Sequence, residues 1–243
     1  MRYPVVLLDV GGTLVGPSVS FGAVYAQVVG SLGLPIEADE VETRIWKVWE
    51  EMDRAIPTGI DRYAHFPGGE DEFWLRFARR TLERAAGQPL QDEFAERAAG
   101  RIREAFMDPA VWRVFPDVRP ALERLKADGA RLGVVSNWDS RLPRVLEMLD
   151  LASYFEEVAV SHFEGVEKPD PEIFRRVLER MGARPETVVH VGDLPEVDLA
   201  GANAAGIDAV LVDRRGRIEA SLRPLADLCE LPRIARGEPR PGL

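Results

Sequence analysis

Apolar positions along the chain follow three successive patterns. Val5, Val6, Leu7 and Leu8 form an unbroken apolar run with two β-branched members. That run predicts a short strand buried on both faces, as in a parallel sheet. From Phe21 to about Phe106 the period becomes helical, with no convincing strand. Residues 20 to 33 carry Val24, Val28, Val29 and Leu32 at helical spacing and stop at Gly33 and Pro35. Residues 38 to 55 place Val41, Ile45, Val48, Trp49 and Met52 on one face, and residues 70 to 86 and 90 to 106 predict two further helices. Between the second and third helices, Pro57, Gly59, Pro67, Gly68 and Gly69 mark a loop long enough to be functional. Four helices of this length predict a small bundle. Trp46, Trp49 and Trp74 occupy helix-face positions and are read as its core.

Beyond Val111 helices and strands alternate. Helices are predicted at 117–128, 141–149, 172–181 and 195–205, and strands at 131–135, 157–160, 187–191 and 209–212. This alternation predicts an α/β fold with a doubly wound parallel sheet. The first strand belongs to the same sheet, so the helical block is an insertion. The expected organisation is an α/β core at 1–16 and 110–232, a helical domain at 17–109 and a loose tail at 233–243.

Composition narrows the partners. With a net charge of −10 and a pI near 5.0, the chain lacks the basic footprint that nucleic acid requires. A small anionic substrate needs only a local positive site. The single cysteine, Cys229, excludes an internal disulfide, and no apolar run approaches the ~18 residues of a membrane span. A cytoplasmic protein acting on a small molecule is expected, with no nucleic-acid or membrane partner; the sequence carries no signal of oligomeric state.

Candidate chemistry sits where the strands end. Asp9-Val10-Gly11-Gly12-Thr13-Leu14 follows the first strand, Ser136-Asn137 another, and Gly192-Asp193 a third, while Lys168 lies in a loop before a helix. In a parallel sheet these ends share one edge, where open α/β sheets bind ligands. Asp9 and Asp193 could hold Mg²⁺, a hard cation that takes carboxylates, waters and phosphate oxygens. Ser136, the backbone around Asn137 and Lys168 could grip a phosphate. Asp198, five residues beyond Asp193, could bind Lys168 or a metal-bound water.

These four segments in order resemble the motifs of the haloacid dehalogenase-like (HAD) superfamily, in its helical-cap subclass. Val5 to Leu14 is similar to the first motif, Val134-Val135-Ser136-Asn137 to the second, Lys168-Pro169-Asp170-Pro171 with Ile173-Phe174 to the third, and Gly192-Asp193 through Asp198 to Gly206 to the fourth. The resemblance implies that Asp9 is the nucleophile and a metal ligand. It also implies that Thr13, Ser136 and Asn137 bind the transferred group, that Lys168 balances its charge, and that Asp193, supported by Asp198, ligates Mg²⁺. The inserted helices would form a lid that opens and closes about residues 15–20 and 107–116.

One position departs from the pattern. Family phosphatases carry a second Asp two residues after the nucleophile, which protonates the leaving oxygen; here that residue is Gly11. Glycine moves no protons, although its carbonyl could still bind the metal. General acid–base help is typically worth ~10²–10⁴-fold. The leading expectation is therefore a slow or specialised Mg²⁺-assisted phosphate-monoester hydrolase. Asp139 is a candidate displaced acid or, more simply, a helix cap.

Two other readings stand beside it. Carbon–halogen or carbon–phosphorus hydrolases also lack the second Asp. The family's dehalogenases, however, do not keep the acids that Asp193 and Asp198 supply here, and they carry Tyr at the position of Phe174. The cap lysine that the phosphonatase chemistry needs would have to be Lys47, which is more simply a solvated side chain. The third reading is a non-catalytic protein that binds a phosphorylated metabolite. His190, inside a strand, is expected to be a satisfied buried histidine, His65 a loop residue that could face substrate, and Trp138 a residue near the site opening.

Overall fold

The computed structural model describes residues 1–238, which divide into two compact units. One unit holds Met1–Gly16, Thr58–Asp61 and the chain from Val114 onward; the other holds Pro17–Pro57 and Arg62–Arg113.

The first unit is built on a five-stranded sheet. Strand β1 is Val5–Leu8, and all four of its side chains are buried, as the apolar run requires. The short strand β2, Val15–Pro17, begins the connection to the second unit. That unit contains helices α1 (Phe21–Ser31), α2 (Ala38–Asp53), α3 (Arg62–His65), α4 (Gly69–Ala86) and α5 (Asp92–Ala105). Strand β3, Trp112–Val114, leads back. The sheet unit then continues through α6 (Val118–Ala127), β4 (Arg131–Ser136), α7 (Leu142–Met148), β5 (Glu157–Val160), α8 (Ser161–Glu164), α9 (Pro171–Met181), β6 (Val188–Gly192), α10 (Ala200–Ala204), β7 (Asp208–Leu211) and α11 (Leu231–Arg236).

The strand order is β5-β4-β1-β6-β7, with every neighbouring pair parallel. Leu8 pairs with Val134 on one side and Val191 on the other. Asp9, Ser136 and Asp193 follow those three residues by one or two positions, so the register alone delivers them to one edge of the sheet. Helix α9 seals one face: Ile173, Phe174, Val177, Leu178 and Met181 are buried against Val5, Leu7, Val135 and Val188. Each buried side chain of this size contributes roughly 1.5–3 kcal/mol of transfer free energy.

In the helical unit, α1 is capped by Ser20, whose hydroxyl accepts from Ala23 N at 3.1 Å. Val41, Ile45, Val48 and Met52 of α2 pack with Phe73, Phe77 and Leu82 of α4 and with Ala98 and Ile102 of α5. Trp49 and Trp74 join this core. Trp46 does not: it is 45% exposed, and its indole N–H donates to Glu42 one turn away, at 2.9 Å.

Two further expectations are corrected. The loop at 57–69 contains α3, and four of its residues, Thr58–Asp61, belong to the sheet unit. Ile60 forms an antiparallel bridge with Val166, and Glu167 N donates to Gly59 O at 3.1 Å. The expected tail from 233 is helical through Arg236, with Leu231, Pro232 and Ala235 buried and Tyr3 N donating to Ala235 O at 2.9 Å. Its last residues, 239–243, lie outside the described residues. Among the described residues, no helix is long and apolar enough to cross a membrane.

Candidate active site

Strand β1 stops where its apolar run stops, at Asp9, whose N–H still donates to Val191 O at 2.8 Å. The Asp9 carboxylate is nearly buried, and its Oδ1 accepts two hydrogen bonds. Ser136 Oγ, at the end of β4, donates at 2.8 Å, and Lys168 Nζ donates at 2.8 Å. Lys168 Nζ also donates to Asp198 Oδ1 at 2.6 Å, with only 1% of its side chain exposed. Asp198 lies in a single wide helical turn, Pro195–Leu199, just before α10. Its Oδ1 meets His190 Nε2 at 3.0 Å, and its Oδ2 accepts from Leu194 N at 3.0 Å. A continuous buried chain thus runs Ser136–Asp9–Lys168–Asp198–His190.

Asp193 completes the acidic group: one carboxylate oxygen from each of Asp9, Asp193 and Asp198 lies within 4.8 Å of the others. Two glycines make room for it. Gly12 has φ +75°, and a Cβ there would fall 2.1 Å from Asp193 Oδ2. A Cβ on Gly192 would fall 2.0 Å from Asp198 Cγ.

Charge in this group is unbalanced. Burial, reinforced by the charge of Asp198, pushes the Asp9 carboxyl above its ordinary range against the pull of Lys168. Burial and the charges of Asp9 and Asp198 push Asp193 up to about 7. Burial opposes ionisation of Asp198 too, but Lys168 and the His190 hydrogen bond prevail and hold it well below the usual carboxylate range. Burial disfavours the Lys168 ammonium, yet Asp198 and Asp9 outweigh it and raise its pKa to about 12. One ammonium therefore faces three carboxylates, and the deficit falls on Asp9 and Asp193.

The donor set fits a hard divalent cation: carboxylate oxygens, tightly grouped and short of positive charge. Within the group, both Asp198 oxygens already accept hydrogen bonds, whereas Asp9 Oδ2 and the Asp193 carboxylate are the outlying acceptors. The turn after Asp9 is closed by Val10 O, which accepts from Leu14 N at 2.9 Å and Val15 N at 3.0 Å, leaving the Gly11 carbonyl outside these bonds.

Several expected roles change. Thr13 is fully buried and its Oγ1 has no hydrogen-bond partner. The Asn137 side chain does not serve the transferred group; it clamps Lys168 instead. Its Oδ1 accepts from Lys168 N and its Nδ2 donates to Lys168 O, both at 2.8 Å. Asp139 is no displaced acid. It is 1% exposed, accepts from Arg141 N at 2.9 Å and is ion-paired with the Arg141 guanidinium. His190 is satisfied at only one nitrogen, since its Nδ1 has no partner, and burial lowers its pKa. His65 is exposed in the helical unit.

Arg214 was not singled out by the sequence. Its Nη2 donates to Thr13 O at 2.8 Å, its Nη1 pairs with Asp117 Oδ1 at 2.7 Å, and it lies 4.4 Å over the Phe115 ring. It pins the far end of the Asp9 loop. An isolated arginine far along the chain gives no spacing signal, and thirty-one basic residues conceal it.

A doubly wound parallel sheet with three carboxylates and a lysine converging at its carboxyl edge defines an α/β protein with a charged ligand site at that edge. Residues 3–206 match the model of the haloacid dehalogenase-like hydrolase family, and the chain belongs to that family. It is 31% identical over 218 residues to zebrafish (Danio rerio) haloacid dehalogenase-like hydrolase domain-containing protein 3, covering 88% of each chain. It is 34% identical over 162 residues to phosphoserine phosphatase of Thermus thermophilus, covering 66% of this chain and 61% of that one. Among solved structures, a 2-haloacid dehalogenase from Pseudomonas syringae pv. Tomato superposes with a TM-score of 0.68 at 26% identity, covering 98% of this chain and all of that one.

Proposed function

We propose that the protein is a Mg²⁺-assisted phosphate-monoester hydrolase of small metabolites, with Asp9 as nucleophile. The observation that carries this reading is the hold on Asp9: Ser136 and Lys168 both donate to Oδ1 at 2.8 Å, which leaves Oδ2 outside these two bonds. An Asp9 oxygen bonds to phosphorus as the ester P–O bond breaks, and the alcohol oxygen leaves with the bonding electron pair. Water then attacks the aspartyl phosphate, releasing phosphate and restoring the carboxylate.

Asp9 and Asp193, with the Gly11 carbonyl, would hold Mg²⁺, which when bound offsets the negative charge of the phosphate and the acids. Lys168, oriented by Asp198 and by the Asn137 clamp, supplies the remaining positive charge beside the attacking group. Ser136 positions Asp9, and backbone N–H groups around Asn137 bind phosphate oxygens. We assign the helical unit, inserted shortly after the Asp9 loop, the role of a cap that selects the substrate.

A carbon–halogen reading is favoured by one observation, the 26% identity to a protein named as a 2-haloacid dehalogenase. Halide departs without a proton, which would suit Gly11. Against it stand Asp193, with no counterpart needed in that chemistry, and Phe174, buried where a Tyr would be required.

A hydrolysis screen over phosphate monoesters, 2-haloacids and phosphonates, with and without Mg²⁺, tests the assignment beside Asp9→Asn. The expected result is Mg²⁺-dependent phosphate release that falls about 10⁴-fold or more in the variant. Activity surviving in Asp9→Asn overturns the nucleophile. Halide release establishes the second reading, and silence across the screen favours a binding protein.

A further inference from the structure

Gly11 is bare for a reason different from that of Gly12. Its φ lies outside the left-handed region, so its backbone would accept any residue. What confronts a side chain there is Trp138: a Cβ at residue 11 would sit 3.3 Å from Trp138 Cζ3, inside the ~3.5–4.0 Å optimum for carbon contacts. The backbone that carries the indole is anchored on both sides. Trp138 N donates to Ser161 Oγ at 3.2 Å, and Trp138 O accepts from that hydroxyl at 3.2 Å and from His162 N at 3.3 Å. Asn137 before it is locked onto Lys168, and Asp139 after it is locked onto Arg141. The residue is half-buried, and its ring lies beside the Asp9 loop.

Residue 11 therefore offers no proton, and the rim of an apolar ring stands beside it. An alkyl ester must release an alkoxide about as basic as hydroxide, whose parent acid has a pKa near 16. A phenol, with a pKa of about 10, leaves unaided far more readily. The same indole that keeps residue 11 bare supplies a stacking surface for an aromatic leaving group.

We propose that Trp138 is a specificity-determining residue of the Asp9 site, stacking on the leaving group of an aryl phosphate monoester. The proposal rests on the phosphatase reading above. The Asp9 oxygen–phosphorus bond forms, the phosphorus–aryl oxygen bond breaks, and the electron pair leaves as phenolate, which solvent protonates.

Two measurements test it on the full-length protein with Mg²⁺ present: kcat/KM for phenyl phosphate and glycerol phosphate, and calorimetric binding of phenylphosphonate and methylphosphonate. The unaltered protein is expected to favour phenyl phosphate by about a hundredfold or more, the scale of an absent general acid. Trp138→Ala should raise KM for phenyl phosphate and weaken phenylphosphonate binding about three- to tenfold, with a several times smaller loss on the alkyl ligands. Trp138→Phe, which keeps a flat ring, should recover most of the difference and guards against a misfolded alanine variant. Equal losses on aryl and alkyl ligands, or no aryl preference in the unaltered protein's binding, overturn the proposal. If no ester is turned over while phenylphosphonate binding still depends on residue 138, the phosphatase reading fails and the aryl site stands.

Discussion

On α2 and α4 of the helical unit, acids and arginines alternate one turn apart: Glu40 with Arg44, Glu50 with Arg54, Glu72 with Arg76, each side chain a third or more exposed. At the carboxyl edge of the sheet, Lys168, Asp9 and Asp198 use the same kind of pairing with 1–10% of each side chain exposed. The first arrangement sits in high dielectric, where water competes for every bond and a pair contributes little. The second is largely screened from solvent, so each charge depends on its partner. Carboxylate–cation pairs thus cover a surface in one unit and build a buried charged cluster in the other, and burial separates the two.

The sharpest way to break this contrast is Lys168→Met. It strips three neighbouring carboxylates of their only ammonium. Removal of one partner from a buried pair costs about 3–5 kcal/mol, so the urea midpoint measured without metal should fall accordingly and turnover should vanish. A variant as stable as the parent would mean the strand-end cluster carries no structural debt to its lysine. His190→Leu is a milder probe. It removes one of the donors to Asp198 and should lower kcat about tenfold, with KM little changed, while costing about 1–3 kcal/mol. A rise in KM alone would place His190 outside the positioning chain.

A pH series sharpens the comparison at an intermediate site. Asp117 is partly buried, which opposes ionisation, but Arg214 and the Leu228 N–H hold its pKa below 3.8. A carboxyl lowered on folding adds stability above its unfolded value and loses it as pH falls through the folded one. The stability gap between the parent and Arg214→Met should therefore be steady above about pH 5 and close below 3.8. A gap that widens in acid would reverse the assignment. Smallest of all, Arg54→Ala at the C-terminal cap of α2 should leave the thermal midpoint where it was.

Much of this was legible in the chain before any coordinates. Val5–Leu8 announced a strand buried on both faces because four consecutive apolar residues fit little else before a glycine turn. The alternation after Val111 announced the parallel sheet, and parallel topology alone required Asp9, Ser136 and Asp193 to converge. Strands of three residues, Val15–Pro17 and Trp112–Val114, escaped because no period can be read from three positions. The Asn137 clamp escaped for a different reason: an amide beside a phosphate site suits two roles, and only the position of the Lys168 backbone separates them. His190 carried no sign of Asp198, since its contact crosses from a strand to an irregular turn. Gly11 was legible as an absence, whereas the ring that stands over it was not.

The segment Thr58–Asp61 bears on how such proteins exchange modules. Because these four residues join the sheet unit, the chain crosses between units four times, at 16/17, 57/58, 61/62 and 113/114. Transplanting the helical block from a relative by two cuts would carry Ile60 away from Val166, two residues before Lys168. A working chimera should keep residues 58–61 with the recipient and accept the donor in two pieces. Inheritance of a new specificity would then be a matter of four junctions rather than the two of a simple insertion.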